Sequence, residues 1–128
     1  IPEGITRISR GVFSGCTALQ SITLPLSAKG IGEKVFEGCT SLQSVNIPDG
    51  VTKLGFKVFS NCTSLSTITI PASVKTLGQL AFEQCTSLQN IVYQGTKSEW
   101  EYITKDASWN QDVPCRVVHC IDGDVEID

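Results

Sequence analysis

Apolar and polar positions along this chain alternate in two different rhythms that take turns. The segments Leu19 to Leu24, Leu42 to Ile47, Leu65 to Ile70 and Leu88 to Tyr93 share the form L-x-x-I/V-x-I/L/Y. Their alternating ends fit half-buried strands, with Ile22 and Leu24 turned inward and Ser21 and Thr23 outward. A proline follows the first three, where a missing amide ends ladder pairing at little cost. Between them lie Ile8 with Val12-Phe13, Ile31 with Val35-Phe36, Leu54 with Val58-Phe59 and Leu77 with Ala81-Phe82. That spacing of four and five predicts one short helix per unit. Gly32, Gly55 and Gly78 precede these turns, and Gly15, Gly38 and Asn61 follow them, where a left-handed residue closes a helix; Gln84 breaks that column, so the fourth turn is expected to close differently.

The two rhythms recur at one offset. Cys16, Cys39, Cys62 and Cys85 are spaced by 23 residues, as are the pairs Ile1-Pro2, Leu24-Pro25, Ile47-Pro48 and Ile70-Pro71 and the column Phe13, Phe36, Phe59 and Phe82. Such a period indicates a solenoid in the leucine-rich range. A single unit cannot bury its apolar edge, so units must stack and their strands form a parallel sheet, roughly 4.8 Å apart. The expected architecture is α/β: a leucine-rich repeat solenoid of four coils over residues 1–92, each with one short parallel strand and one short helix, and a capping segment over residues 93–128. The chain starts inside a strand-proline junction with no polar cap, which suggests an array truncated at its N-terminus, with repeats and a secretion signal upstream.

The units Gly38-Cys39-Thr40-Ser41-Leu42-Gln43-Ser44-Val45-Asn46-Ile47-Pro48 and Asn61-Cys62-Thr63-Ser64-Leu65-Ser66-Thr67-Ile68-Thr69-Ile70-Pro71, each preceded by Val-Phe, resemble the BspA-type leucine-rich repeats of bacterial and protist surface proteins. The resemblance covers all four repeats and reaches Tyr93 to Trp100 and Val118 to Asp124, which are similar to the segment closing such arrays. It implies adhesion or host-protein binding, at the cell surface or after secretion.

The second repeat departs from the pattern. Ala28 stands where the others have Ile5, Val51 and Val74, and Leu26 stands in a column of Glu3, Asp49 and Ala72. Leu26 either turns inward to fill the lost volume or leaves a cavity costing about 1 kcal/mol. In the tail, Thr96-Lys97-Ser98-Glu99 has capping-box spacing, and Trp100, Ile103 and Tyr102 supply an apolar side. A polar loop through Trp109 and Pro114 then leads to a hairpin around Asp122-Gly123-Asp124.

Composition and charge mainly exclude. With 10 basic and 13 acidic residues the net charge is -3, which argues against nucleic acid as a partner. No apolar run is long enough to cross a bilayer, so direct membrane insertion is not expected. Residues 1–92 carry seven basic and five acidic side chains and residues 93–128 carry three and eight. Those blocks are too small to imply capture of a polyanion.

Candidate chemistry is sparse. The four-cysteine column suits buried thiols that donate to backbone, ahead of rung-to-rung disulfides, which leave β-carbons slightly too far apart. Cys115 and Cys120 allow a disulfide, or with His119 a zinc site, although His119 and Cys120 point to opposite faces of a strand. Asp122, Asp124, Glu126 and Asp128 alternate like the start of a calcium loop but lack its glycine and closing Glu, which favours a solvated acidic strand. No cofactor motif and no recognisable nucleophile constellation are present, so a non-enzymatic role is expected.

A binding role points to the outward columns of the strands. These are Ser21, Ser44, Thr67 and Asn90, then Thr23, Asn46, Thr69 and Val92, flanked by Gln20, Gln43, Ser66 and Gln89. They lack large anchors, so a host or extracellular-matrix protein would be held weakly per site and gain from avidity. A solvated face on a structural stalk, carrying another domain and binding nothing, is the alternative. Phe56 and Leu80 on adjacent coils form a second candidate patch.

Overall fold

The computed structural model describes residues 3–106 and 108–127. Ile1 and Pro2, the first pair of the repeat register, and Asp128 of the acidic alternation lie outside the described residues. In chain order the elements are β1 (Arg7–Ile8), β2 (Ser21–Thr23), β3 (Gly30–Ile31), β4 (Ser44–Asn46), β5 (Lys53–Leu54) and β6 (Thr67–Ile70). There follow β7 (Thr76–Leu77), β8 (Asn90–Tyr93), α1 (Lys97–Tyr102), β9 (Thr104–Lys105), β10 (Val117–Cys120) and β11 (Gly123–Glu126).

The four strands predicted from the L-x-x-I rhythm, β2, β4, β6 and β8, join the tail hairpin in one sheet of order β11-β10-β8-β6-β4-β2, parallel except for that hairpin. The register follows the repeat: Ser21 lies opposite Ser44, Asn46 opposite Thr69, and Thr67 opposite Asn90. A second parallel sheet, β1-β3-β5-β7-β9, is built from two-residue strands after each proline corner. The core fills the space inside the coils. Its largest members include Phe36, Phe59 and Phe82, stacked on Phe13 with ring centroids 5.3 to 5.6 Å apart.

The predicted helix in each coil is not formed. Two left-handed columns cut the run into single turns: Gly11, Lys34, Lys57 and Leu80 have φ of 54 to 68°, and Gly15, Gly38, Asn61 and Gln84 have φ of 57 to 74°. Gln84 therefore closes its turn as its glycine counterparts do. Alternate amides also have partners in the next coil, Lys34 N–H donating to Phe56 O, Phe36 N–H to Val58 O and Gly38 N–H to Ser60 O. Glu37, between two of them, closes a four-residue turn by donating its N–H to Lys34 O. A helix would need all these groups for itself.

The column Gly32, Gly55 and Gly78 has a different cause. A Cβ on Gly55 would sit 2.6 Å from the carbonyl carbon of Gly32, and one on Gly78 equally close to that of Gly55. The coils touch backbone to backbone there. At the other end of each unit, the Gly4, Ser27, Gly50, Ser73 column alternates. Gly4 N–H donates to Ser27 Oγ at 3.0 Å and Ser27 Oγ–H to Ile5 O at 2.7 Å; Gly50, Ser73 and Val51 repeat the arrangement.

The solenoid has about five turns rather than four, because the tail resumes the repeat. β9 continues the second sheet, with Thr104 opposite Thr76, and β10 continues the first, with Val118 opposite Ile91. The segment read as a polar loop supplies the fifth coil's turns: Phe82 N–H donates to Trp109 O and Gln84 N–H to Gln111 O, and Trp109 and Val113 are buried. Trp109 meets Phe82 edge-on and Trp100 in turn, extending the aromatic column. Helix α1 occupies the extra length at the corner, with the Thr96–Glu99 capping box formed as expected. Trp100 and Ile103 face the core, but Tyr102 is 87% exposed. β11 closes the first sheet, with the two-residue turn Ile121-Asp122 ahead of Gly123.

Candidate functional site

The strands of the first sheet display their outward side chains in two straight columns, because parallel pairing holds each residue opposite its repeat equivalent. Gln20, Ser21, Thr23, Gln43, Ser44, Asn46, Ser66, Thr67, Gln89 and Asn90 are exposed, and Thr69 and Val92 are half-buried. All twelve lie on one continuous face. The structure adds His119, opposite Val92 in the same column. Its Nδ1 lies 2.8 Å from Asp124 Oδ1 on the closing strand, so the face ends on a His–Asp pair that lies outside the 23-residue offset.

At the C-terminal ends of β4 and β6 this face borders a shallow depression of about 220 Å³, lined by Asn46, Ile47, Pro48, Asp49, Thr69, Gln94 and Leu26. Leu26 does not turn inward. It is 73% exposed, while Ala28 is fully buried in the core. The backbone settles this: Leu26 N–H donates to Glu3 Oε2 and Ala28 N–H to Pro25 O, which holds Ala28 inside the corner. The second repeat thus leaves a large apolar side chain at the rim of the face. The Phe56–Leu80 pair is less open, since both are half-buried and the Lys34 and Lys57 ammonium groups lie 5.8 and 5.6 Å from the Phe56 ring centre.

The cysteines are free thiols, including Cys115 and Cys120. Cys39, Cys62 and Cys85 donate to Phe13 O, Phe36 O and Phe59 O, each at 3.1 Å, one coil back. Burial pushes the Cys62 thiol far up and Cys85 up to about 12, so these groups are neutral packing elements that tie coils together. Cys115 Sγ donates to Val117 O at 3.0 Å. Among the described residues, no group of three or more His, Cys, Asp or Glu side chains is placed to hold a metal ion, and no helix is long and apolar enough to cross a membrane.

Comparison with known proteins agrees with this geometry. The family described as BspA type leucine rich repeat region (6 copies) matches residues 1–110. A leucine-rich repeat protein from Bacteroides ovatus is 35% identical with a TM-score of 0.65, over 69% of this chain and 23% of that one. A leucine rich cell surface protein from Faecalibacterium prausnitzii is 34% identical with a TM-score of 0.63, over 84% of this chain and 34% of that one. The leucine rich repeat protein of T. pallidum shares the fold at 21% identity, with a TM-score of 0.57 over 91% of this chain and 67% of that one. No curated protein matches. The chain thus spans about a quarter and a third of the first two of these structures. Its 23-residue register, inward phenylalanine and cysteine columns and family match together make it a member of the BspA-type leucine-rich repeat family.

Proposed function

We propose that this chain is a surface-displayed interaction module without chemistry of its own, which binds host or extracellular-matrix protein through the outward face of the first sheet. Within it, residues 1–92 carry the four regular repeats, and residues 93–128 add the fifth coil and close the stack. The observation that carries the reading is the depression beside Asn46 and Thr69 with Leu26 exposed at its rim. An apolar side chain of that size gives a polar face the kind of anchor that its small columns lack. The cell-surface description of the Faecalibacterium relative supports the location.

The double substitution Asn46→Arg/Thr69→Arg tests this against purified extracellular-matrix proteins immobilised for surface plasmon resonance. Capture should weaken at least about tenfold, with circular dichroism unchanged. Unchanged capture by a folded variant would eliminate the face. A parent chain that captures none of the panel would favour the stalk, which needs no ligand.

A further inference from the structure

The solvent side of the second sheet holds a larger concavity than the first. An open groove of about 1090 Å³ runs across β1, β3, β5, β7 and β9, floored by the glycine column at Gly32, Gly55 and Gly78. Five cationic side chains line it, Arg7, Arg10, Lys29, Lys53 and Lys105, against two carboxylates, Glu33 and Asp106. The whole chain carries -3. Charge counted along the sequence hides this excess, because the cations come from different coils and gather only when the coils stack.

These cations differ in how committed they are. Lys105 donates to Trp100 O and Ile103 O, so it is tied to the fold. Arg10 lies 3.6 Å from Glu33, in a pair with both side chains largely exposed and easily exchanged. Arg7, Lys29 and Lys53 are exposed, with no carboxylate within 4 Å among the described residues. They occupy three successive coils: Arg7 and Lys53 stand in one column on either side of Gly30, roughly 10 Å apart, and Lys29 lies one residue before Gly30 on the coil between them.

The floor offers few main-chain groups to a ligand. Lys29 N–H donates to Thr6 O, Thr52 N–H to Lys29 O, Lys75 N–H to Thr52 O and Thr104 N–H to Lys75 O, one coil to the next. A peptide laid across the strands would find the ladder occupied and could not add as a strand, the usual source of affinity for extended peptides. What remains is side-chain chemistry: spaced cations and the hydroxyls of Thr6, Thr52, Thr76 and Thr104. Cations suit carboxylate or sulfate groups, and hydroxyls suit sugar hydroxyls.

We propose that the groove of the second sheet binds a linear acidic polysaccharide, laid across the strands with its anionic groups on Arg7, Lys29 and Lys53. This site is separate from the face of the first sheet and stands whether or not that face binds protein. Titration calorimetry of the 128-residue chain tests it, with polygalacturonate and dextran sulfate as carboxylated and sulfated probes. Neutral dextran, poly-glutamate and a DNA duplex serve as comparisons. Binding to at least one acidic polysaccharide is expected, falling at least about tenfold in Lys29→Glu/Lys53→Glu and by a smaller factor in Lys29→Gln/Lys53→Gln. Both side chains are exposed, so the variants should melt where the parent does; the neutral variant keeps the test open if charge reversal disturbs folding. Three results overturn the proposal: no binding of either acidic polysaccharide at low salt, affinity undiminished in folded variants, or poly-glutamate or DNA binding as tightly as the sugars.

Discussion

Gly30 and Gly55 show how a single position takes its meaning from the coil beside it. Both lie on the second-sheet side of the molecule. A Cβ on Gly30 would meet nothing within 4 Å, whereas one on Gly55 would collide with the Gly32 backbone at 2.6 Å. Backbone has no rotamer to yield, so Gly55→Ala must push two coils apart. It should cost about 1–3 kcal/mol, and Gly30→Ala less than about 0.5 kcal/mol, measured as the shift in urea-unfolding free energy. Equal effects would mean that the coils are not in backbone contact. At this scale the cysteine and phenylalanine columns and the left-handed Gly15, Gly38 and Asn61 were legible, because each is a residue type repeated at fixed offset. The left-handed Lys34, Lys57 and Leu80 were not, since nothing in those side chains marks a positive φ. Leu26 misled because volume lost at Ala28 need not be refilled when the corner backbone closes around the smaller side chain.

At the scale of elements, the apolar spacing of four and five was real but ambiguous. It places Val-Phe pairs inward equally well on a helix or on two successive turns, and the choice is made by carbonyls of the adjacent coil, which no local pattern contains. The cysteine column joins these turns and gives them a pH dependence. Its thiols have pKa values raised by burial, from an ordinary 9.0 to about 12 for Cys85, and Cys62 is raised as well by burial and by its cysteine neighbours. An acid whose folded pKa is raised stabilises fully while protonated in both states. Its contribution is lost as pH climbs above the unfolded value toward the folded one. Urea-unfolding stability should therefore hold below pH 9 and fall between roughly pH 9 and 12. Cys62→Ala/Cys85→Ala should be less stable at pH 7, from lost packing and two lost hydrogen bonds to Phe36 O and Phe59 O, yet show a shallower alkaline decline. An unchanged slope would place the alkaline sensitivity in other groups.

For the whole molecule, the sequence showed a stack and an end but miscounted the stack. The fifth coil was hidden because 28 residues, not 23, separate Thr76 from Thr104, and because Trp109 takes over the aromatic column without being a phenylalanine. With an insertion at the corner, Trp109 and Val118 fall into the Phe82 and Ile91 columns. The tail matters for more than covering: Trp100, Trp109, Val113 and Val118 are all in the one core cluster. A chain ending at Tyr93 would uncover Phe82 and Ile91 and turn β7 and β8 from inner strands into edges. It is expected to lose its cooperative thermal transition or to associate in size-exclusion chromatography. A monomeric truncation melting near the full chain would show that the first four coils stand alone.

Helix α1 is inserted where the chain passes from one sheet to the other, and both sheets run through that coil with their registers kept. Extra length at such a corner therefore leaves neighbouring rungs undisturbed, while an insertion within a strand would shift a whole column. The corners are the places where a BspA-type array can take on new segments and diversify without refolding, and α1 is one such graft already in place.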